Sequence, residues 1–185
     1  MWIEKTLVAG RPDRESGDYA LGKALWSPKV SASGGEVYRF MREVQEGDVI
    51  LHLTDNDAIV GRSEAASVAQ DFVGLPNTQW AAREAFLIPL RNYRQLEPPF
   101  SRDVFFGDPF GKRLAKIAES GVRNLFFNSG PALNQGAYLT PVPTEVLAVL
   151  NDAYRTVSGH ALIEDDELGV LTQREELRRA AMSSP

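Results

Sequence analysis

The sequence predicts an α+β domain built around a small, strongly bent antiparallel sheet or barrel. Three observations carry that prediction. Short apolar runs with strand alternation recur along the chain, and two of them are joined by a turn of hairpin type. The helical stretches between them do not form the regular strand-helix-strand repeat of a parallel sheet.

Taken in order, IEKTLV (3–8) reads as the first strand, and a polar loop from Gly10 to Gly17 carries Arg11, Asp13 and Arg14. KALWSPK (23–29) places a tryptophan at a strand-to-loop junction. From about Gly35 to Gln45, Val37, Phe40, Met41 and Val44 fall at helical spacing and predict an amphipathic helix, with Arg39, Arg42 and Glu43 on its outer face. Glu46-Gly47-Asp48 then turns into the strand VILHL (49–53), and Thr54 to Asp57 reads as a hairpin turn into AIVGRSEA (58–65). REAFLIPLRNY (83–93) alternates as a strand, with Pro89 pointing to an edge or a bulge.

Asp108-Pro109 reads as an N-cap and first-turn pair for a helix to Glu119, closed by Gly121. VRNLFFN (122–128) reads as another strand, and TEVLAVLNDAYR (144–155) as a helix with Val146, Val149, Leu150 and Ala153 on one face. Beyond Ser158-Gly159 the texture changes to an acidic linker. Thr172 to Glu175 has a capping-box pattern that starts a charged terminal helix with little apolar face. The organisation is therefore a folded domain over 1–157 and a tail over 158–185.

Composition narrows the function. With 185 residues, 43% hydrophobic and 24% charged, the chain holds one sizeable core. It has no cysteine, which excludes a disulfide framework, a thiolate nucleophile and a cysteine-based zinc site. There is no signal-peptide pattern at the N-terminus and no apolar run near the roughly 18 residues of a membrane span, so a soluble cytoplasmic protein is expected. The net charge is -5, and the last 25 residues hold 3 basic and 6 acidic groups of the totals, 20 and 25. The body is near neutral and arginine-rich, which leaves room for a local basic patch.

Catalytic motifs are absent. The histidines are His52 and His160. His52 alternates away from Val49, Leu51 and Leu53, as a hydrogen-bonded group at a barrel end or a pocket-lining one. There is no HExxH, no GxSxG and no Gly-rich dinucleotide fingerprint; GDPFGKR (107–113) fails as a phosphate loop, with three residues between its glycines and arginine after the lysine. No enzyme activity, cofactor or metal site is expected of this chain. Of the tryptophans, Trp2 reads as core or a barrel plug, while Trp26 and Trp80, each beside a polar loop, read as core or as walls of a pocket for a flat ligand.

The ordered set LWSP, YRFMREV, EGDVILHL, AIVGRSEA and TQW resembles the EVE and YTH group of the PUA-like superfamily. It is most similar to the EVE-like modules of modification-dependent restriction systems, those fused to HNH nucleases and those of McrB type. FFNSGPALNQGAYLTPVP (126–143) is similar to the segment that follows the module there, so the resemblance covers roughly residues 1–155.

It implies a PUA-like bent β-barrel flanked by helices, with an aromatic cage that receives one modified base flipped out of DNA, or a modified base of single-stranded RNA. Position by position, Trp26 and Trp80 match the cage tryptophans and Ser27 the polar residue beside the first. The turn Thr54 to Asp57 lies where the family lines its pocket. Some members place a third aromatic near Trp80; here Leu75 to Gln79 carry none, and that wall is unassigned.

Stacking holds any base, so identity must come from hydrogen bonds to the base edge, for which Asp13, Ser27, His52 and Asp55 are candidates. Arg11, Arg14, Lys29, Arg39, Arg42, Arg83 and Lys112 are candidates for phosphate contacts. The expected function is a reader of modified DNA, 5-methylcytosine or 5-hydroxymethylcytosine, in a restriction system whose nuclease domain lies C-terminal to this chain. The alternatives are a stand-alone reader of modified RNA and a small-molecule-binding or enzymatic domain using the same pocket.

Overall fold

The computed structural model describes residues 1–31, 34–35, 38–75, 78 and 80–183. The strands are β1 (Trp2–Thr6), β2 (Ala24–Pro28), β3 (Val49–Thr54), β4 (Ala58–Ala65), β5 (Gln70–Val73), β6 (Glu84–Ser101) and β7 (Leu139–Pro141). The helices are α1 (Pro12–Glu15), α2 (Arg102–Phe106), α3 (Phe110–Glu119), α4 (Thr144–Ser158) and α5 (Asp165–Ser183), with a 3-10 turn, η1, over Arg39–Glu43. The strands form one strongly curled half-barrel in the order β2-β6-β4-β3-β1-β7, with β5 also on β6. This is the mixed α+β architecture expected.

Pairing is antiparallel except between β1 and β3, which run parallel from Trp2↔Ile50 to Thr6↔Thr54. The connection between them contains α1, β2 and η1, the long crossover a parallel pair requires. β3 and β4 form the expected hairpin, with Asp55 and Asn56 both left-handed at φ 53° and 54°, the backbone hand that suits tight hairpins.

β6 is a central strand of the sheet, against the sequence reading, but at Pro89 it is edge-like, paired in register on the β2 side alone. Leu90 N–H donates to Lys23 O on the β2 side, so by alternation position 89 turns its nitrogen to the opposite edge. On that edge β4 ends its pairing at Leu90 and β5 begins at Leu87, so the missing N–H falls in the gap between two partners.

The main core lies between the sheet and the helices. It joins Ile3, Leu51, Leu53 and Ile59 to Phe100, Phe105, Phe126, Phe127 and the α4 face of Val146, Val149, Leu150 and Ala153. A second cluster packs Trp2, Leu25, Ile50, Met41, Val44 and Ile88.

Four local expectations are corrected. The stretch expected as a helix over 35–45 is only the 3-10 turn η1 in its described part; Val37 lies outside the described residues, while Met41 and Val44 are buried as the pattern required. VRNLFFN forms no regular strand, only an isolated antiparallel bridge from Phe127 to Leu133, although Leu125, Phe126 and Phe127 are all buried. Its backbone carbonyls bond instead to Asn134, through Nδ2 to Leu125 O (2.8 Å) and Phe127 O (3.0 Å) and through N to Phe126 O (2.9 Å). At α3, Pro109 occupies the cap position and Asp108 pairs with Lys112 at 2.6 Å instead of capping.

The acidic run Glu164–Glu167 falls at the start of α5 rather than in a free linker, where carboxylates suit the helix N-terminus. The preceding Ala161, Leu162 and Ile163 are buried, and Asn151 clasps Ile163 by two hydrogen bonds. Arg62 binds Glu167 through both carboxylate oxygens at 2.8 Å. Among the described residues no helix is long and apolar enough to cross a membrane, and no cluster of acidic or histidine side chains could hold a metal.

Candidate functional site

Curling the sheet brings the end of β1, the loop into α1, the middle of β2 and the loop after β5 around one cavity. Its volume is about 180 Å³, larger than the roughly 150 Å³ apolar cavity that accepts a benzene ring. Trp26, Ser27, Tyr38, Leu75, Trp80 and Tyr138 supply much of the wall, with Lys5, Arg11 and Arg14 adding cationic groups.

Trp26 packs on Leu75 and Ala85, and its ring lies 6.2 Å from that of Trp80 with the planes tilted by 56°. The two indoles touch and form adjoining walls of the cavity. Tyr38 and Tyr138 meet edge-on at 6.0 Å and add further aromatic surface. These tyrosines were missed in the sequence, as was Lys5, whose Nζ donates to Asn134 O. Tyr138 lies in GAYLTP, which has no local feature to tie it to a tryptophan 112 residues away.

Polar groups at the site are unevenly satisfied. Trp26 N–H donates to the Tyr138 hydroxyl at 3.1 Å, and that hydroxyl donates to Glu4 Oε1 at 2.9 Å. Among the described residues, however, Trp26 Nε1, Ser27 Oγ and Arg14 Nε are buried without a hydrogen-bond partner. Buried polar atoms are seldom left so, and these three belong to residues that border one cavity.

Beneath the wall runs a buried network. Arg14 reaches Glu4 Oε1 at 2.7 Å, and its other terminal nitrogen bonds Tyr19 O and Ala24 O. Glu4 Oε2 lies 2.7 Å from His52 Nδ1, and His52 Nε2 lies 2.7 Å from Ser63 Oγ. Burial pushes the Glu4 carboxyl up, but the Arg14 charge with the His52 and Tyr138 hydrogen bonds outweighs it, holding the carboxyl below its ordinary value. Burial, with the nearby Glu4 charge, raises the Tyr138 hydroxyl well above the ordinary phenol value.

His52 is therefore enclosed in this network and does not border the cavity. Tyr93 lies across it at 5.9 Å, in a space that only glycine leaves: a Cβ on Gly61, opposite His52 in the ladder, would stand 2.6 Å from the Tyr93 ring. Asp55 also stands off the cavity, where its Oδ1 accepts from Val8 N (2.8 Å) and Ala9 N (3.1 Å) and pins the loop that carries Leu7 and Arg11. Asp13 is held by Arg11 at 2.7 Å, and its hydrogen bond lowers the Asp13 carboxyl. Of the base-edge candidates, Ser27 alone joins the two tryptophans on the cavity wall.

Among the phosphate candidates, Arg11 and Arg14 border the cavity, but Arg14 is buried in the network. Arg83 lies 5.6 Å over the Trp80 ring. Lys29 and Arg42 both approach the Phe86 ring, at 5.5 and 5.9 Å, and Lys29 also pairs with Asp71. Arg39 stands elsewhere, over Phe40, and Lys112 is far off on α3. Pro76, Asn77 and Gln79, where the third cage wall was sought, lie outside the described residues.

No protein-family model and no curated protein matches the chain. Among solved structures, Rpa0253 from Rhodopseudomonas palustris, an NMR structure, is 15% identical with a TM-score of 0.46, over 84% of this chain and 93% of that one. The N-terminal domain of Staphylothermus marinus McrB is also 15% identical with a TM-score of 0.46, over 82% and 92%. Neither likeness is strong enough to assign a family.

Proposed function

We propose that this chain is the modified-base-reading domain of a modification-dependent DNA restriction system. It takes one flipped methylated cytosine base, 5-methylcytosine or 5-hydroxymethylcytosine, into the Trp26–Trp80 cavity. It cleaves nothing itself; the nuclease is a separate domain that follows in a longer protein. One observation carries the reading: the two tryptophans singled out by the ordered segments meet at a single cavity, beside buried polar atoms that lack protein partners among the described residues.

The tilt of the indoles has the base stacking on one ring and meeting the other edge-on. Each such stack contributes about 1–3 kcal/mol and accepts any base. Identity is read by hydrogen bonds to the base edge, for which Ser27 on the cavity wall is the candidate. A buried methyl adds only about 0.8 kcal/mol, roughly fourfold, so a sharp response to methylation also needs a clash with, or a hydrated slot opposite, the unmodified base. Extrusion from the duplex costs a few kcal/mol, offset by contacts from cations around the cavity such as Arg11 and Arg83.

A reader of modified single-stranded RNA is the second reading, favoured by the pairing of Arg11 and Lys29 with carboxylates, since a single strand demands no flipping. The test is binding of matched duplexes carrying cytosine, 5-methylcytosine, 5-hydroxymethylcytosine, N4-methylcytosine or N6-methyladenine, with methylated single-stranded RNA as competitor. Preference for one modified duplex, lost in folded Trp26→Ala, is the expected result. Wild-type-like binding by Trp26→Ala overturns the cavity, and affinity that follows only the RNA overturns the DNA reading.

A further inference from the structure

The cations around the cavity are unequally matched. Arg11 pairs with Asp13 and Arg14 with Glu4, both at 2.7 Å. Lys5 borders the same space, and among the described residues no side chain on its wall is a carboxylate. The Lys5 ammonium donates to Asn134 O, and it has no acidic partner among the described residues.

That ammonium is poorly served where it stands. Lys5 is half-buried, and burial lowers its ammonium from the ordinary lysine value. The group has three donors, so one neutral carbonyl leaves two of them, and the charge itself, for another partner. A ligand oxygen supplies what is missing, most strongly if it is anionic.

Such an oxygen can come from a phosphate of the strand or from a substituent on the base. The geometry favours the substituent. Lys5 N donates to Tyr138 O, which fixes the lysine beside an aromatic wall of the cavity. A space of about 180 Å³ is of the size that accepts a single ring, so a base enters it and the backbone stays at the mouth. Arg83, exposed over the Trp80 ring, suits a phosphate there.

We propose that Lys5 is a specificity-determining residue of the cavity, and that the modification it selects carries an oxygen on the 5-substituent of cytosine. A carboxylate is held best and a hydroxymethyl group next. A bare methyl offers the ammonium nothing and is held least. This inference rests on the modified-base reading of the cavity.

The test uses the full chain and fluorescent duplexes with cytosine, 5-methylcytosine, 5-hydroxymethylcytosine or 5-carboxylcytosine at one position. Each is also made with the phosphate on either side of that position replaced by an uncharged methylphosphonate. The wild type is expected to bind the carboxyl duplex about tenfold or more tightly than the methyl duplex, the range of a hydrogen bond to a charged group. Lys5→Met, which keeps an unbranched stem without the charge, should bring the two within about twofold, while Lys5→Arg keeps their order. The methylphosphonates should weaken the wild type and Lys5→Met by the same factor, with a thermal melt confirming that each variant is folded.

Equal binding of the methyl and carboxyl duplexes by the wild type overturns the proposal. So does a carboxyl preference that survives in Lys5→Met, the mark of a merely structural lysine. A methylphosphonate penalty that vanishes in Lys5→Met also overturns it, because the lysine then serves the backbone. In each of these cases Trp26→Ala still loses every duplex, and the cavity reading stands. If Trp26→Ala binds every duplex like the wild type, the cavity reading falls and takes the Lys5 assignment with it.

Discussion

The two ends of the curled sheet use the same residue types to opposite effect. On the helical side, aromatic rings fill one another's space: Phe100 lies 5.2 Å from Phe105 and 5.1 Å from Tyr154, and Phe126 lies 4.9 Å from Phe127. The Tyr154 hydroxyl donates to Pro98 O, so even the polar tip is satisfied. On the other side Trp26, Trp80, Tyr38 and Tyr138 surround a cavity, and Trp26 Nε1 and Ser27 Oγ are buried without partners among the described residues. Rings that touch on all sides make a core. Rings that line a space beside unsatisfied polar atoms give up packing energy that a ligand can restore.

Four substitutions test how far the two halves are separate. The largest effect should come from Phe100→Ala in the packed half, which empties the centre of the aromatic cluster. It should lower stability by about 3–5 kcal/mol in urea unfolding, while ligand affinity at a temperature where the variant is folded stays near the wild type. A large loss of affinity in the folded variant would mean that the halves are coupled.

Next is Glu4→Gln, between the halves, which leaves the buried Arg14 charge without its carboxylate and should cost about 3 kcal/mol or more. Its pH signature follows from direction. The folded Glu4 carboxyl lies below the ordinary 4.5, so its contribution is complete above that value and is lost as pH falls through the folded value. The wild type should therefore lose its advantage over Glu4→Gln on the acid side of pH 4.5, measured as unfolding free energy across the acid range.

Tyr138→Phe keeps the ring but removes the bonds to Trp26 N and Glu4, and should cost about 1–2 kcal/mol. The folded Tyr138 hydroxyl is raised, so its contribution is present below the ordinary 10.0 and is lost as pH rises beyond it; the variant should lack that alkaline decline. The smallest effect should be that of Asp55→Ala at the rim. Freeing Val8 N and Ala9 N loosens the loop that carries Arg11, which should weaken ligand binding by about threefold to tenfold with little change in melting temperature. Unchanged affinity would show that the loop plays no part in holding the ligand.

Much of the site's location was legible, and little of its chemistry. Trp26 and Trp80 stand beside polar loops and read as core or pocket; the resemblance of the ordered segments picks them out with Ser27 as cage positions, and the fold puts all three on one cavity wall. Asp55 and His52 were chosen by proximity to the same turn and strand, and the fold gives them loop-pinning and network contacts. Alternation placed His52 off the main apolar face, but no local pattern says whether such a histidine meets solvent, a ligand or a buried Glu4. Pro89 marked a position open on one side, but whether the strand as a whole is edge or centre depends on which strands lie alongside, and those come from residues 24–28, 58–65 and 70–73.

By itself the sequence determined what periodicity and turn chemistry encode. It gave the α+β class, the β3–β4 hairpin through the left-handed Asp55-Asn56, the α4 face and the burial of Met41 and Val44. Those depend on neighbours a few residues apart, where alternation and helical spacing apply. Only the tertiary structure decided that Trp26 meets Trp80 at a tilt, that Tyr138 arrives to accept from Trp26 N, and that Glu4 gathers Arg14, His52 and Tyr138 in the interior. These contacts join segments brought together by the curl of the sheet, and a curl summed over seven strands has no signature in any one of them.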